Sequence, residues 1–260
     1  MFAEERQEAI YNIVCQKHSV KVAELSQLLD ISEVTIRRDL DELQRQNRVL
    51  RTHGGAVAAY SVGRAVSSGE LISKNSDLKH QIAMRAYEYI NDYDTLLLDS
   101  SSTVFELAKL IASEQKTHLR IITTSLLAVQ TLSSCRSFKV MIVGGEMNYT
   151  HNTVEGYIAS QFIKNIRVDK SFIGINGIDE NFGFSTPRYE DAEIKSLMSN
   201  SAVESFVLAD HSKFGKVYLA KVEASSCLIT DTQLPDFSYD MLSDDLSVIF
   251  SSSRPDPTIT

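Results

Sequence analysis

The sequence predicts two structural classes in one chain: a small helical unit with a β wing, then an α/β unit built on a mostly parallel sheet. Three observations lead there. Residues 32–45 read as a Ser-capped amphipathic helix with arginines opposite its apolar stripe, and a Gly-Gly hairpin follows at Gly54-Gly55. From about residue 77, apolar runs such as Leu96-Leu97-Leu98 alternate with amphipathic segments, the pattern of strands covered on both faces by helices. Between the two, residues 58–76 carry Ser61, Gly63, Ser67, Ser68 and Gly69, a linker or surface-loop composition.

The N-terminal elements follow in order. Ile10, Ile13 and Val14 lie at helical spacing and set a helix over 4–17, with Glu4 and Glu5 in the first turn where the helix dipole favours them. Val20 to Val22 is a brief strand. Residues 23–29 form a second helix with Leu25, Leu28 and Leu29 on one face. Asp30-Ile31-Ser32 is the turn, and Ser32 caps the third helix, whose Ile36, Leu40 and Leu43 recur at i, i+4 and i+7 and so face the first two. At about 100° per residue, Val34, Arg38 and Arg45 fall on the far side, flanked by Arg37 and Asp41. Residues 48–57 make a hairpin with His53-Gly54-Gly55 at its tip. A turn, a capped helix with an outward arginine face and a wing behind it make a winged helix-turn-helix unit over 1–57, suited to a DNA groove. The expected DNA-contacting set is Ser32, Val34, Thr35, Arg37, Arg38, Arg45, Arg51, His53 and Gly54.

The second unit is expected over 77–250, ahead of a frayed tail at 251–260. Its strands are read at 95–99, 120–124, 138–143, 171–176, 206–209 and 227–230, with a weaker one at 246–250. Helices fall at 77–90, 103–112, 125–133, 156–166 and 189–200. Polar residues collect where these strands end, the edge at which open α/β sheets hold ligands. They are Asp99, Ser100, Ser101, Ser102 and Thr103; Thr123, Thr124 and Ser125; Gly144 and Gly145; Asn176 and Gly177; and Asp210 and Lys213, joined by Glu190 on the last helix. Hydroxyl-rich turns that open helices offer free N–H groups to a phosphate. Lys213 supplies a cation for it, and Asp99, Asp210 or Glu190 can accept sugar hydroxyls. Any one of these turns by itself is simply an N-cap.

The net charge of −8 argues at first against a nucleic acid, and residues 1–57 hold 8 Lys+Arg against 9 Asp+Glu. The positive charge is nevertheless concentrated after residue 34, in Arg37, Arg38, Arg45, Arg48 and Arg51. Cys15, Cys135 and Cys227 are too few and too far apart for a disulfide framework or a zinc site, and the six histidines lack metal spacing. Without a leader-like start or an apolar run of ~18 residues, a soluble cytoplasmic protein is expected.

Arg6, Ile10, Val20-Lys21-Val22-Ala23-Glu24-Leu25-Ser26, Thr35-Ile36-Arg37-Arg38-Asp39-Leu40 and Arg51-Thr52-His53-Gly54-Gly55-Ala56 resemble the DNA-binding domain of the DeoR family of bacterial transcriptional regulators, mostly repressors of sugar metabolism. The resemblance continues through Thr123-Thr124-Ser125, Gly144-Gly145-Glu146, Phe172 to Gly177 and Asp210 to Gly215, and spans about residues 3–235. It implies a second domain similar to ribose-5-phosphate isomerase that binds a phosphorylated sugar and thereby weakens operator binding. The anchors would be the turns at 100–103 and 123–125, with Asp210 and Lys213 nearby. It also implies a homodimer or homotetramer on double-stranded operator DNA, with no cofactor. Two positions depart from the family: Ser101 stands where glycine is common, and Thr124 where asparagine is. The alternative is a sugar-phosphate isomerase fused to a DNA-binding domain. The related isomerases keep a catalytic lysine in the loop matching residues 178–189, where this chain has Arg188 and no lysine, so no enzymatic activity is expected.

Overall fold

The first helix, α1 (Ala3–Lys17), packs against α3 (Glu33–Arg45) through Ile10, Val14, Ile36, Leu40 and Leu43, all fully buried. Between them come β1 (Ser19–Lys21) and α2 (Val22–Leu29), which adds Val22 and Leu25 to the same core. Two strands, β2 (Val49–Thr52) and β3 (Gly55–Ala58), pair antiparallel as the wing, and β3 also pairs with β1, giving the order β1-β3-β2. A Cβ at Gly55 would collide with the Val20 carbonyl, so this close crossing of β1 and β3 requires glycine. The computed structural model from which these elements come describes residues 3–252 except 18, 47, 53, 59–67, 114–115, 136, 225–226, 236 and 243–245.

Asp39 corrects one inference from charge counting. It is not a surface acid diluting the arginines: it is 3% exposed and accepts from Arg6 at 2.5 and 3.1 Å and from Gln7 at 3.3 Å. A carboxylate buried between two helices needs such donors, so Asp39 ties α1 to the apolar side of α3. The outward face of α3 therefore carries one acid fewer than the sequence count assigns it.

The chain divides into two compact units, Met1–Arg64 and Ala65–Thr260. The second begins with α4 (Ser68–Ser73), a helix within the stretch expected to be linker, and α5 (Ser76–Tyr87). It continues with β4 (Thr95–Leu98), α6 (Ser102–Ser113), β5 (Arg120–Thr123), α7 (Leu126–Leu132) and β6 (Lys139–Ile142). Next come β7 (Glu146–Asn148), β8 (Thr153–Glu155), α8 (Tyr157–Lys164), β9 (Val168–Gly174), β10 (Gly177–Asp179) and β11 (Gly183–Thr186). The last are α9 (Tyr189–Ser201), β12 (Ala202–Leu208), β13 (Ala220–Val222), β14 (Cys227–Thr230) and β15 (Ser247–Phe250). Seven strands form a wholly parallel sheet in the order β15-β14-β12-β9-β4-β5-β6. One apolar cluster joins α5, α6 and α7 to one face and a second joins α8 and α9 to the other, as the uninterrupted apolar strands require.

Two small antiparallel groups had no counterpart among the expected strands: the β7–β8 hairpin and the β10-β11-β13 sheet. Four of their strands mix Gly, Glu, Asn, Asp, Ser and Thr with single apolar residues, which erases the alternation that marks a strand, and the fifth, β13, alternates but is only three residues long.

Candidate functional site

In the first unit, the Ser32 hydroxyl accepts the Thr35 N–H at 3.4 Å and lies 2.9 Å from Thr35 Oγ1, starting α3. Burial of Ile36, Leu40 and Leu43 turns the other face outward, leaving Val34 77% exposed and Arg37, Arg38 and Arg45 exposed. Several arginines are held by their own chain. Arg37 meets Glu33 at 3.2 Å, Arg45 meets Glu42, and Arg51 meets Asp41 at 3.1 Å and the Gly55 carbonyl at 3.2 Å. Arg48, outside the expected set, pairs with Glu8 at 2.7 Å and stacks over Tyr11. Arg38 has no ion-pair or hydrogen-bond partner among the described residues. Gly54, with φ of 89°, is exposed at the wing tip; His53 lies outside the described residues.

In the second unit, strand order reverses direction between β4 and β9, because β5 and β6 lie on one side of β4 and all later strands of this sheet on the other. Ligands of open α/β sheets bind beyond the carboxyl ends of the strands at such a point. Asp99 sits there, 2% exposed. Its Oδ1 accepts the Ser101 N–H at 2.8 Å and hydroxyl at 2.6 Å; its Oδ2 accepts the Gly174 N–H from the end of β9 at 2.8 Å and also the Lys195 ammonium. The Ser101 side chain packs where a Cβ on residue 174 would stand, so Ser101 and Gly174 fit as a pair. Lys195 descends from α9, is 3% exposed, and lies 3.4 Å from Asp191 as well. Burial alone would lower its pKa, but the Asp191 and Asp99 carboxylates outweigh burial and raise it, so the ammonium stays charged. Asp99, Ser100, Thr124, Thr153, Glu155, Asp191 and Lys195 line a narrow cleft with room for a single water, about 10 Å³, or about 210 Å³ when the open solvent at its mouth is counted. Arg188 grips Glu155 with two hydrogen bonds of 2.8 and 2.6 Å.

Of the expected effector set, Asp99, Ser100 and Thr124 meet in this cleft. Others serve the backbone. Ser101 Oγ lies 3.4 Å from the Val104 N–H, Thr123 Oγ1 donates to the Leu98 carbonyl at 2.7 Å, and Ser125 caps α7 through the Ala128 N–H at 3.2 Å. Ser102 and Thr103 open α6, Gly144 is exposed, Gly145 leads into β7, Asn176 lies 3.0 Å from Thr186 Oγ1, and Gly177, opening β10, pairs with Ser185 of β11. Glu190 is exposed, whereas its neighbour Asp191 faces the cleft. Asp191, Lys195, Thr153 and Glu155 are cleft residues that sequence reasoning missed. The i, i+4 spacing of Asp191 and Lys195 was a signal for the first two.

A second polar group occupies the end of β12. Asp210, 1% exposed, accepts the Ser212 N–H at 3.0 Å and Asn75 Nδ2 at 3.1 Å, while its Oδ2 is buried with no hydrogen-bond partner among the described residues. Burial would raise this carboxyl, but hydrogen bonds from Ser212 and Asn75 and the Lys213 charge hold it below the usual range. Lys79, buried on α5, donates to the Leu71 and Lys74 carbonyls; burial, reinforced by Lys213 and Lys74, lowers its pKa to about 8 against the pull of Asp210 and Glu106. Lys213 is lowered too, by burial and then by Lys74, with Asp210 opposing. Two lysines, the buried Lys79 and the half-buried Lys213, whose charged forms burial disfavours, beside a carboxylate oxygen with no partner among the described residues, suit an anion that also carries a hydroxyl. Among the described residues, no helix is long and apolar enough to cross a membrane.

Comparison with known proteins agrees with this division. Residues 6–62 match the model of the DeoR-like helix-turn-helix domain, and residues 74–232 that of the DeoR C terminal sensor domain. The chain is similar to an uncharacterized HTH-type transcriptional regulator, YulB, of Bacillus subtilis, at 31% identity over 94% of this chain and 95% of that one. It is similar at 32% identity to the transcriptional repressor GlcR of the same organism, over 92% of both chains. The glycerol-3-phosphate regulon repressor of Escherichia coli is 29% identical over 92% of this chain and 95% of that one. Among solved structures, ribose 5-phosphate isomerase A of Methanocaldococcus jannaschii aligns with 55% of this chain and 56% of its own, at TM-score 0.41 and 20% identity, too slight a likeness to carry chemistry across. The family models and relatives are those of regulators, not enzymes, and the chain belongs to the DeoR family of helix-turn-helix transcriptional regulators.

Proposed function

We propose that this chain represses a sugar-utilisation operon in the cytoplasm, binding double-stranded operator DNA as a homo-oligomer and leaving it when a phosphorylated sugar occupies the sensor domain. The observation that carries the reading is the guanidinium of Arg38, which has no partner among the described residues, on the outward face of a buried, capped helix. The names of the relatives support the metabolic side: repressors of a glycerol-3-phosphate regulon and of a lactose phosphotransferase system are among them. The effector would lie along the carboxyl edge of the sheet. Its phosphate would meet Lys213 and Lys79 and the N–H groups opening α6, and its hydroxyls would meet Asp99, Thr124, Asp191 or Asp210 Oδ2. Release requires that the effector bind the DNA-incompetent arrangement more tightly, since equal affinity for both arrangements shifts nothing.

The test is a gel shift on the DNA upstream of the chain's own gene, repeated with a panel of sugar phosphates. Binding should weaken steeply with salt, with about 6 or more counterions released for a dimer, and one sugar phosphate should abolish it. A flat salt response contradicts specific operator binding. The sensor has its own check. An anion favours the charged form of Lys79, whose pKa is about 8 in the free protein, so binding takes up protons near that pH. Sugar-phosphate affinity should therefore fall between pH 7 and pH 9, read by calorimetry in two buffers of different ionisation enthalpy. Equal affinity at both pH values removes Lys79 from the site.

A further inference from the structure

We infer that Ser101 is a positioning residue: it makes a ligand hydroxyl displace Lys195 in order to bind Asp99, so that recognition of the sugar and loosening of α9 become one event. An ionised carboxylate offers about four acceptor positions. At Asp99 all of them are taken. Oδ1 holds the Ser101 N–H at 2.8 Å and hydroxyl at 2.6 Å, and Oδ2 holds the Gly174 N–H at 2.8 Å and the Lys195 ammonium. A hydroxyl that arrives as a donor has to take the place of one of these. The two N–H groups are fixed by the backbone, one ahead of α6 and one at the end of β9, where Gly174 is in register with Leu208 of β12. The Ser101 hydroxyl is fixed by its surroundings: it accepts the Val104 N–H at 3.4 Å as the cap of α6, and the side chain fills the notch that the missing Cβ of Gly174 leaves.

Lys195 is the donor that can move. Its ammonium ends a flexible stem and has a second carboxylate, Asp191, at 3.4 Å, so it can leave Asp99 without being stranded. The cleft opens on the same side, for its lining includes Asp99, Asp191 and Lys195 and does not include Ser101 or Gly174. Room for a single water is also room for one hydroxyl oxygen, and too little for a phosphate. The Ser101 hydroxyl therefore decides what binding does. With it, a sugar hydroxyl gains Asp99 only as Lys195 swings to Asp191. Without it, Oδ1 has a vacant acceptor position, and the sugar hydroxyl binds while Lys195 keeps its place. The ligand class narrows to a phosphorylated polyol that inserts one hydroxyl into the cleft and keeps its phosphate outside. This inference rests on the sugar-phosphate reading of the sensor domain.

The experiment takes the full chain, its operator fragment and a panel of ribose 5-phosphate, glucose 6-phosphate, fructose 6-phosphate and glycerol 3-phosphate. Calorimetry gives the dissociation constant of each compound, and a gel shift gives the concentration that releases half of the operator. In wild type the two values should track each other. In Ser101→Ala the compound that binds wild type should bind at least as tightly, since no link has to break first. The concentration that releases operator should nevertheless rise about 10-fold or more, the worth of a hydrogen bond to a charged group. A residue that only supports the fold would shift both values together. The control Ser113→Ala, which removes an exposed hydroxyl at the far end of α6, should leave both unchanged. If alanine at the cap disturbs the fold by circular dichroism, Ser101→Gly takes its place, glycine being a tolerated cap, with the same split expected. Release that stays in step with binding in the Ser101 variant, or a split that the control shows equally, overturns the inference. A wild type that binds operator but no compound of the panel defeats the sugar-phosphate reading itself, so the two failures are distinguishable.

Discussion

Arg38→Ala is expected to weaken operator binding by about 1–3 kcal/mol per half-site, roughly 5- to 150-fold, while leaving sugar-phosphate affinity unchanged. The size follows from what Arg38 lacks. Arg37, Arg45 and Arg51 have acids on their own or neighbouring elements, and each pair has to loosen before its guanidinium can turn to DNA. Those exposed pairs are weak, about 0.2–1 kcal/mol, so their arginines remain usable for phosphates. Arg38 starts with no such competition among the described residues and lies one turn from Thr35, at the end of the helix that enters a groove first. Arg37→Ala should accordingly lower affinity for all sequences alike and flatten the salt slope. Arg38→Ala should relax base preference at one position of each half-site, read by competition gel shifts with single-base operator variants. If Arg38→Ala binds operator with wild-type affinity and preference, α3 is not the reader.

The separation of these roles was partly legible in the sequence. The period of Ile36, Leu40 and Leu43 gave the buried face of α3 directly, because a 3.6-residue repeat leaves one outward side. It could not reveal that Asp39 bonds Arg6 across 33 residues, since a wheel records direction but not which polar group is buried with a partner. The parallel sheet was legible for the same kind of reason: strands such as 95–98 and 227–230 are apolar on both faces. The sensor cleft was half legible. Asp99, Ser100 and Thr124 stand at strand ends, where position alone marks them. Thr153 and Glu155 reach the cleft on a polar hairpin without alternation, and Lys195 reaches it from α9, the helix on which the sequence reading named Glu190 instead. Several hydroxyls singled out as phosphate anchors are occupied with capping and backbone contacts, which composition cannot tell from ligand contacts.

Lys195→Met is expected to cost the sensor domain about 3–5 kcal/mol, because it leaves two carboxylates, Asp99 and Asp191, facing a buried site without their shared cation. For a domain of this size that is a fall in Tm of roughly 6–20 °C, measured by calorimetry. The double variant Asp99→Asn/Lys195→Met should recover part of the loss, since it strands only the partly exposed Asp191 rather than two carboxylates. A double variant no more stable than the single one would mean that the pair is not the source of the effect. The pH dependence gives an independent check. Lys195 has a raised pKa, so its contribution is complete below the unfolded value near ~10.4 and is lost only as pH climbs through the still higher folded value. The Tm gap between wild type and Lys195→Met should therefore be the same at pH 7 and pH 9; a gap that closes by pH 9 would mean the ammonium is already discharging there. The consequence for regulation follows from the same geometry. Asp99 joins the ends of β4 and β9 through Gly174, and Lys195 joins both to α9, so a sugar hydroxyl competing for Asp99 would loosen α9 from the sheet. With methionine at 195 that link is already absent. Because that loosening is the proposed route to release, the variant, assayed below its Tm, should bind operator weakly even without effector, and the sugar phosphate that releases wild type should weaken it little further.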